Sequence, residues 1–237
     1  MKKIMCVSGG VNSTTMMSII YSHNDVYEID RFIFADTGLE YPEMYEYLDT
    51  LRDKGFPIET VSTDQRFDDW FYGKITRGER KGIIRGFPPV TSPCYWMREA
   101  KFNVLKKECK DSICMLGYSA DEESRVNGKH DYGYKCYFPL WEWGFTQEMC
   151  VKYLQHKDLW NPLYDFVDRT GCWLCPKQSK KSLLFLKTNH PDLWDRLLDY
   201  QRDDPVGFHT DDKRLISIEN KYTSLKFQRK LTGVMKG

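Results

Sequence analysis

The chain has 237 residues, 35 basic and 34 acidic side chains, a net charge of +1 and 41% hydrophobic residues, which suits one α/β domain with a smaller appendage around a real core. No apolar run approaches the ~20 residues of a membrane span, and Met1-Lys2-Lys3 leads straight into a short apolar stretch and a polar turn, so neither a span nor a signal peptide is expected and a cytoplasmic protein is. Near-neutral charge excludes a global pull towards nucleic acid or membrane, leaving a local basic run at Arg77, Arg80, Lys81 and Arg85 that reads first as a solvated loop and second as a polyanion site.

Lys3 to Val7 is predicted as a strand, and it stops at "SGGVNST". Glycines there permit a tight turn. They also permit an anion site, because a glycine turn feeding a helix offers free N–H groups and the positive end of the helix dipole. The stretch is neither G-x-x-x-x-G-K-S/T nor G-x-G-x-x-G. Ser13 to Ser22 is predicted as a helix, Arg31 to Ala35 as a strand, Pro42 to Lys54 as a helix with Pro in its first turn, and Ile58 to Val61 as a strand. "FIFAD", apolar and then acidic, fits a strand covered on both faces whose carboxyl end opens into a site. This rhythm predicts a doubly wound, mainly parallel α/β sheet with ligands beyond the strand carboxyl ends.

Thr63 to Ser92 carries Gly, Arg and Pro and reads as a long loop. Tyr95 to Lys107 is predicted as a helix, Ser112 to Leu116 as a strand and Gln147 to Leu154 as a helix, with two more helices near Lys181 to Thr188 and Pro191 to Arg202. "YFPLWEWGF" reads as core filling before base stacking. Residues 1–165 are expected to form the α/β domain, and 166–237 a Cys-x-x-Cys segment with a helical extension.

Eight cysteines in such a chain point to thiols, metal ligation or catalysis before disulfides. Cys6 and Cys114 sit in apolar runs and read as small core residues, and Cys109 and Cys150 lie in helix-like stretches without an evident partner. Only Cys172 and Cys175, in "GCWLCP", show ligand spacing.

Six segments in order, "SGGVNST", "FADTGLEYPEMYEYL", "PCYWMREAKFNVL", "GYSADEESR", "FPLWEWGFTQEMCVKYL" and "NPLYDFVDRTGCWLCP", resemble the phosphoadenosine phosphosulfate reductase-like family of the PP-loop, or adenine nucleotide alpha-hydrolase-like, superfamily. The resemblance covers roughly residues 3 to 176. It implies an adenosine nucleotide, ATP or a relative, with phosphates on Ser8, Gly9, Gly10, Asn12, Ser13 and Thr14 and adenosine against Asp36, Thr37 and Gly38. Arg125 corresponds to a position that binds phosphate or sulfate. Against these stand a turn or cap role for Asp36 and a surface ion pair for Arg125. Lys101, two helical turns after Cys94, is placed to aim its ammonium at the same ligand or simply into solvent.

The departures shape the expected activity. Val11 and Asn12 stand where the family's loop commonly has Lys and Asp, which removes a charge-assisted contact to a leaving pyrophosphate. The final "KLTGVMKG" lacks the cysteine-bearing tail of the strict reductases. Cys94 with Cys172 and Cys175 gives three thiolates, which hold a 4Fe-4S cluster with an open iron, or zinc completed by Cys136, a histidine or water, or no metal at all. The leading expectation is an enzyme that activates or transfers a group, sulfur among the candidates, between the nucleotide and a protein or RNA partner. A strict sulfonucleotide reductase and a non-catalytic nucleotide sensor are the alternatives, and oligomerisation stays open.

Overall fold

A computed structural model describes residues 1–87, 94–128, 132–204, 215 and 218–220. Among these, five strands, β1 (Lys2–Val7), β2 (Arg31–Asp36), β3 (Ile58–Ser62), β4 (Ser112–Met115) and β5 (Lys135–Tyr137), form one all-parallel sheet in the order β3-β2-β1-β4-β5. The expected parallel pairing of the first four is present: Ile4 lies opposite Arg31 across β1 and β2, and Lys2 opposite Ser112 across β1 and β4.

The order explains the layering. From β1 the chain steps outward to β2 and β3, then returns past β1 to β4, so its crossovers run in opposite directions. Right-handed crossovers of opposite direction place helices on opposite faces. Helix α1 (Val11–Ser22) packs on β1 and the helix Pro42–Asp53 on β3. On the other face Leu105 and Cys109 cover Ile4, Ile33, Ala35 and Cys114. β2 shows why a strand between two helical layers is apolar throughout, since Phe32, Ile33, Phe34 and Ala35 are all buried.

Three expectations need correction. The helix predicted over Tyr95 to Lys107 is composite: Tyr95–Met97 is α-helical, Arg98–Phe102 is π-helical and Asn103–Glu108 is α-helical again, and such wide turns often occur at functional sites. The long loop contains a short helix, Phe67–Phe71, and an antiparallel bridge between Lys74 and Ile84, while residues 88–93 and the final "KLTGVMKG" fall outside the described residues. In "YFPLWEWGF" the core is filled by Pro139 and Leu140. Trp141 is exposed, and Tyr137, Phe138, Trp143 and Phe145 are half-buried.

The chain divides into two compact units. The first comprises residues 1–64, 96–164 and 169–171 and holds the sheet; the second comprises 65–95, 165–168 and 172–237. In the second, the helices Lys180–Asn189 and Pro191–Asp203 are capped or started by Ser179 and Pro191. Rings of Phe67, Phe71, Phe87 and Tyr200 meet edge-on or tilted, with Phe71 and Tyr200 4.8 Å apart. Among the described residues no helix is long and apolar enough to cross a membrane.

Candidate functional site

In a doubly wound sheet, the loops after neighbouring strands part where the crossover direction reverses, leaving a crevice. Here that place lies between β1 and β4. A cavity of about 370 Å³ opens there, with Ser8, Gly10, Asn12 and Ser13 on the β1 side and Leu116, Gly117 and Tyr118 on the β4 side. Such a volume falls in the range of small-ligand sites.

The β1 turn is held by its own side chains. Ser8 N–H donates to Ser13 Oγ at 3.1 Å, Ser13 Oγ donates to the Gly10 carbonyl at 3.1 Å, and Asn161 Nδ2 donates to the Gly9 carbonyl at 2.9 Å. Gly9 takes φ +69°, and a Cβ there would lie 2.3 Å from Met44 Sδ, so both its angle and its space call for glycine. Gly10 is the N-cap of α1. The first N–H groups of a helix have no partner within it; Val11 N–H donates to Tyr164 Oη at 3.3 Å. Those of Gly10, Asn12 and Ser13 meet no protein acceptor among the described residues. Replacing Tyr164 by Phe leaves Val11 N–H unmatched and is expected to cost about 0.5–1.5 kcal/mol, read as a lower midpoint in urea unfolding.

Charge enters from the facing wall. Val11 is buried and brings none, but Lys101 in the π-helical turn and Arg125 after β4 both line the cavity. Glu122 organises this wall: its carboxylate accepts from Asn12 Nδ2 at 3.1 Å and from Ser119 N–H at 3.1 Å, and it pairs with Arg125, whose guanidinium also lies 4.0 Å from the Tyr118 ring centre. The Oδ1 of Asn12 is buried without a partner among the described residues. Burial pushes the Glu40 carboxyl up, against the opposing pull of the Lys101 charge and the Thr37 hydroxyl.

The predicted residues thus divide. Ser8, Gly10, Asn12, Ser13, Lys101 and Arg125 share the cavity wall. Gly9 and Thr14 are buried in the same turn and helix. Asp36, Thr37 and Gly38 lie outside the lining: Asp36 Oδ1 accepts from Gly38 N–H and from Tyr45 Oη, each at 2.8 Å, as a turn residue does, and Thr37 hydroxyl donates to Glu40. Sequence reading assigned no role to Glu122, Tyr164 or Asn161, although all three stand in the quoted segments.

The cysteines also divide. Cys94, Cys172 and Cys175 are half-buried in the second unit, with Cys175 N–H donating to the Cys172 carbonyl at 3.0 Å. The three-sulfur group gathered within 4.8 Å among the described residues is a different one, Cys6, Cys109 and Cys114. Cys109, expected without a partner, therefore has two. Hydrogen bonds from Cys114 and then Cys6 hold the Cys109 thiol well below the usual range and leave Cys114 raised. Burial, with Cys109 adding to it, pushes Cys136 up to about 11.

No curated protein matches the chain. Among solved structures, phosphoadenylyl-sulfate reductase from Candida auris, in a phosphate complex, is 14% identical with a TM-score of 0.49, covering 73% of this chain and 82% of that one. The U34-tRNA thiolase NcsA from Methanococcus maripaludis, with its 4Fe-4S cluster, is 16% identical with a TM-score of 0.41, covering 85% and 71%. The family model for the phosphoadenosine phosphosulfate reductase domain matches residues 2–72. That match takes in β1, its glycine turn, α1, β2 and β3, so this N-terminal part of the chain is similar to that domain.

Proposed function

We propose that the protein is an enzyme that binds an adenosine nucleotide in the β1–β4 cavity and activates or transfers a group from it, sulfur being the leading candidate. One observation carries this reading: the unpaired N–H groups of Gly10, Asn12 and Ser13 and the cations Lys101 and Arg125 belong to one cavity. Oriented N–H donors at a helix start suit phosphate oxygens. Two cations suit the rest of a polyanion, and they stand in for the lysine that Val11 displaces from the turn. Asn12 Oδ1, buried and unmatched, offers an acceptor to a ribose hydroxyl or an adenine amino group. Donors fixed by the fold before the ligand arrives also stabilise charge that builds on a leaving phosphate.

The resemblance makes a 4Fe-4S cluster or zinc the further expectation, with Cys94, Cys172 and Cys175 as its ligands. Cys172 and Cys175, half-buried in one turn, are the observation that supports this set, and such a group would supply an open iron or a Lewis acid. The protein partner or RNA that receives the group, and a cytoplasmic setting, belong to the same proposal.

Calorimetry with ATP, AMP and phosphoadenosine phosphate tests the central reading. Saturable binding of at least one is expected, weakened about 5- to 10-fold by Lys101→Ala through loss of roughly 1 kcal/mol of partly screened charge. Silence with all three ligands removes the reading. For the metal at this set, anaerobic protein is expected to be brown with a cluster, or colourless with zinc, and Cys172→Ser is expected to remove the brown colour, or about one zinc per chain.

A further inference from the structure

We propose that Cys6, Cys109 and Cys114 form a second, independent site for a thiolate-seeking metal ion of the zinc class, set into the sheet face on which Leu105 packs against Ile4, Ile33 and Ala35. The three sulfurs come from three elements: Cys6 from β1, Cys114 from β4, and Cys109 from the end of the helix before β4. Asp111, at φ 57°, makes the short turn between helix and strand that folds Cys109 back towards Cys114. The parallel register sets Ile4 beside Cys114. Cys6, two residues further along β1, points to the same side of the sheet.

All three sulfur atoms lie within 4.8 Å of one another. A tetrahedral thiolate shell with metal–sulfur bonds of ~2.3 Å has sulfur–sulfur edges of ~3.8 Å, so closing on an ion asks for shifts of ~1 Å or less. Cys109 and Cys114 are fully buried, while Cys6 is half-buried and lines the cavity. The cavity therefore supplies the entry path and a fourth position for water or a ligand atom, the arrangement of three protein ligands with one open place. A set of thiolates without carboxylate or carbonyl oxygen favours zinc over magnesium or calcium. Binding exchanges protons for the ion: one dication and three thiols give a tris-thiolate complex of net charge −1 and three released protons. Packing alone asks only for small apolar groups at these places and gives no reason for three sulfurs to converge.

The test uses the full chain carrying Cys172→Ser and Cys175→Ser, which removes the other paired thiols. The protein is fully reduced, stripped of metal and titrated anaerobically with cadmium chloride alone. Expected is a thiolate-to-cadmium ultraviolet band saturating at about one equivalent, with a raised thermal midpoint. Adding Cys109→Ser is expected to abolish the one-equivalent step. Should that buried change unfold the protein by circular dichroism, Cys6→Ser, at the half-buried position, takes its place and is expected to lower affinity at least 10-fold. Absence of a one-equivalent step in the double variant overturns the site, as does a step that survives both Cys6→Ser and Cys109→Ser. Neither outcome depends on whether a nucleotide binds.

Discussion

Replacing Gly10 by Asp is expected to weaken adenosine-nucleotide binding by roughly 30- to 1000-fold. A carboxylate 4–8 Å from a phosphate charge costs about 2–4 kcal/mol at the effective dielectric of a partly exposed protein site. A Cβ at Gly10 would meet the Tyr164 hydroxyl at 3.3 Å, Ser8 Oγ at 3.4 Å and Thr170 Oγ1 at 3.5 Å, so there is room for the side chain only if these hydroxyls give slightly. Gly10→Ala isolates that crowding. It adds the same Cβ without charge, and the difference between the two variants in calorimetry is the electrostatic part. Equal affinities for Gly10→Asp and Gly10→Ala would move the phosphates away from this turn.

Gly117→Ala is the second large effect, and it acts from the opposite side of the cavity. Its Cβ would lie 2.9 Å from both N and Cα of Ser13 and 3.1 Å from the Asn12 carbonyl carbon. These are backbone atoms of the first turn of α1, so no rotamer change relieves the contact. The end of β4 and the start of α1 must separate. Overpacking of this kind costs about 1–3 kcal/mol, a drop of roughly 2–12 °C in thermal midpoint for a chain of this size. The same displacement misaims the N–H groups of Asn12 and Ser13, so nucleotide affinity is expected to fall as well. A variant with unchanged midpoint and unchanged affinity would show that α1 and β4 are free to part without consequence.

What could be read from the sequence follows from how local each feature is. β1 and β2 with their following helices were legible because a strand buried on both faces is apolar throughout and each helix start carries its own signal, glycine before α1 and Pro42 in the next. β5 was not, since Lys135-Cys136-Tyr137 is too short to show a period and becomes a strand only by pairing with β4. The π-helical turn at Arg98–Phe102 interrupts a pattern that reads as continuous helix. In the candidate site, the glycine turn and Lys101 read as groups suited to an anion, whereas Arg125 entered only through the resemblance. The bond from Val11 to Tyr164 spans 153 positions and that from Asn12 to Glu122 spans 110, distances over which no spacing rule reaches. Cys109 looked solitary for the same reason: its neighbours Cys6 and Cys114 are assembled by sheet register, and no motif announces that.

The central place of β1 also bears on how the chain is made. Its two flanking partners arrive at very different times: β2 begins at Arg31, but Ser112, which pairs with Lys2, is translated about 110 residues after it. At ~5–20 residues per second that leaves β1 with one side unpaired for about 5–20 s on the ribosome. An open strand edge of that kind invites pairing with another nascent chain, and closing so long a loop makes the sheet's completion slow compared with formation of its helices. Crowded synthesis should therefore yield aggregates that join through β1, and slowing translation before residue 112 should worsen them.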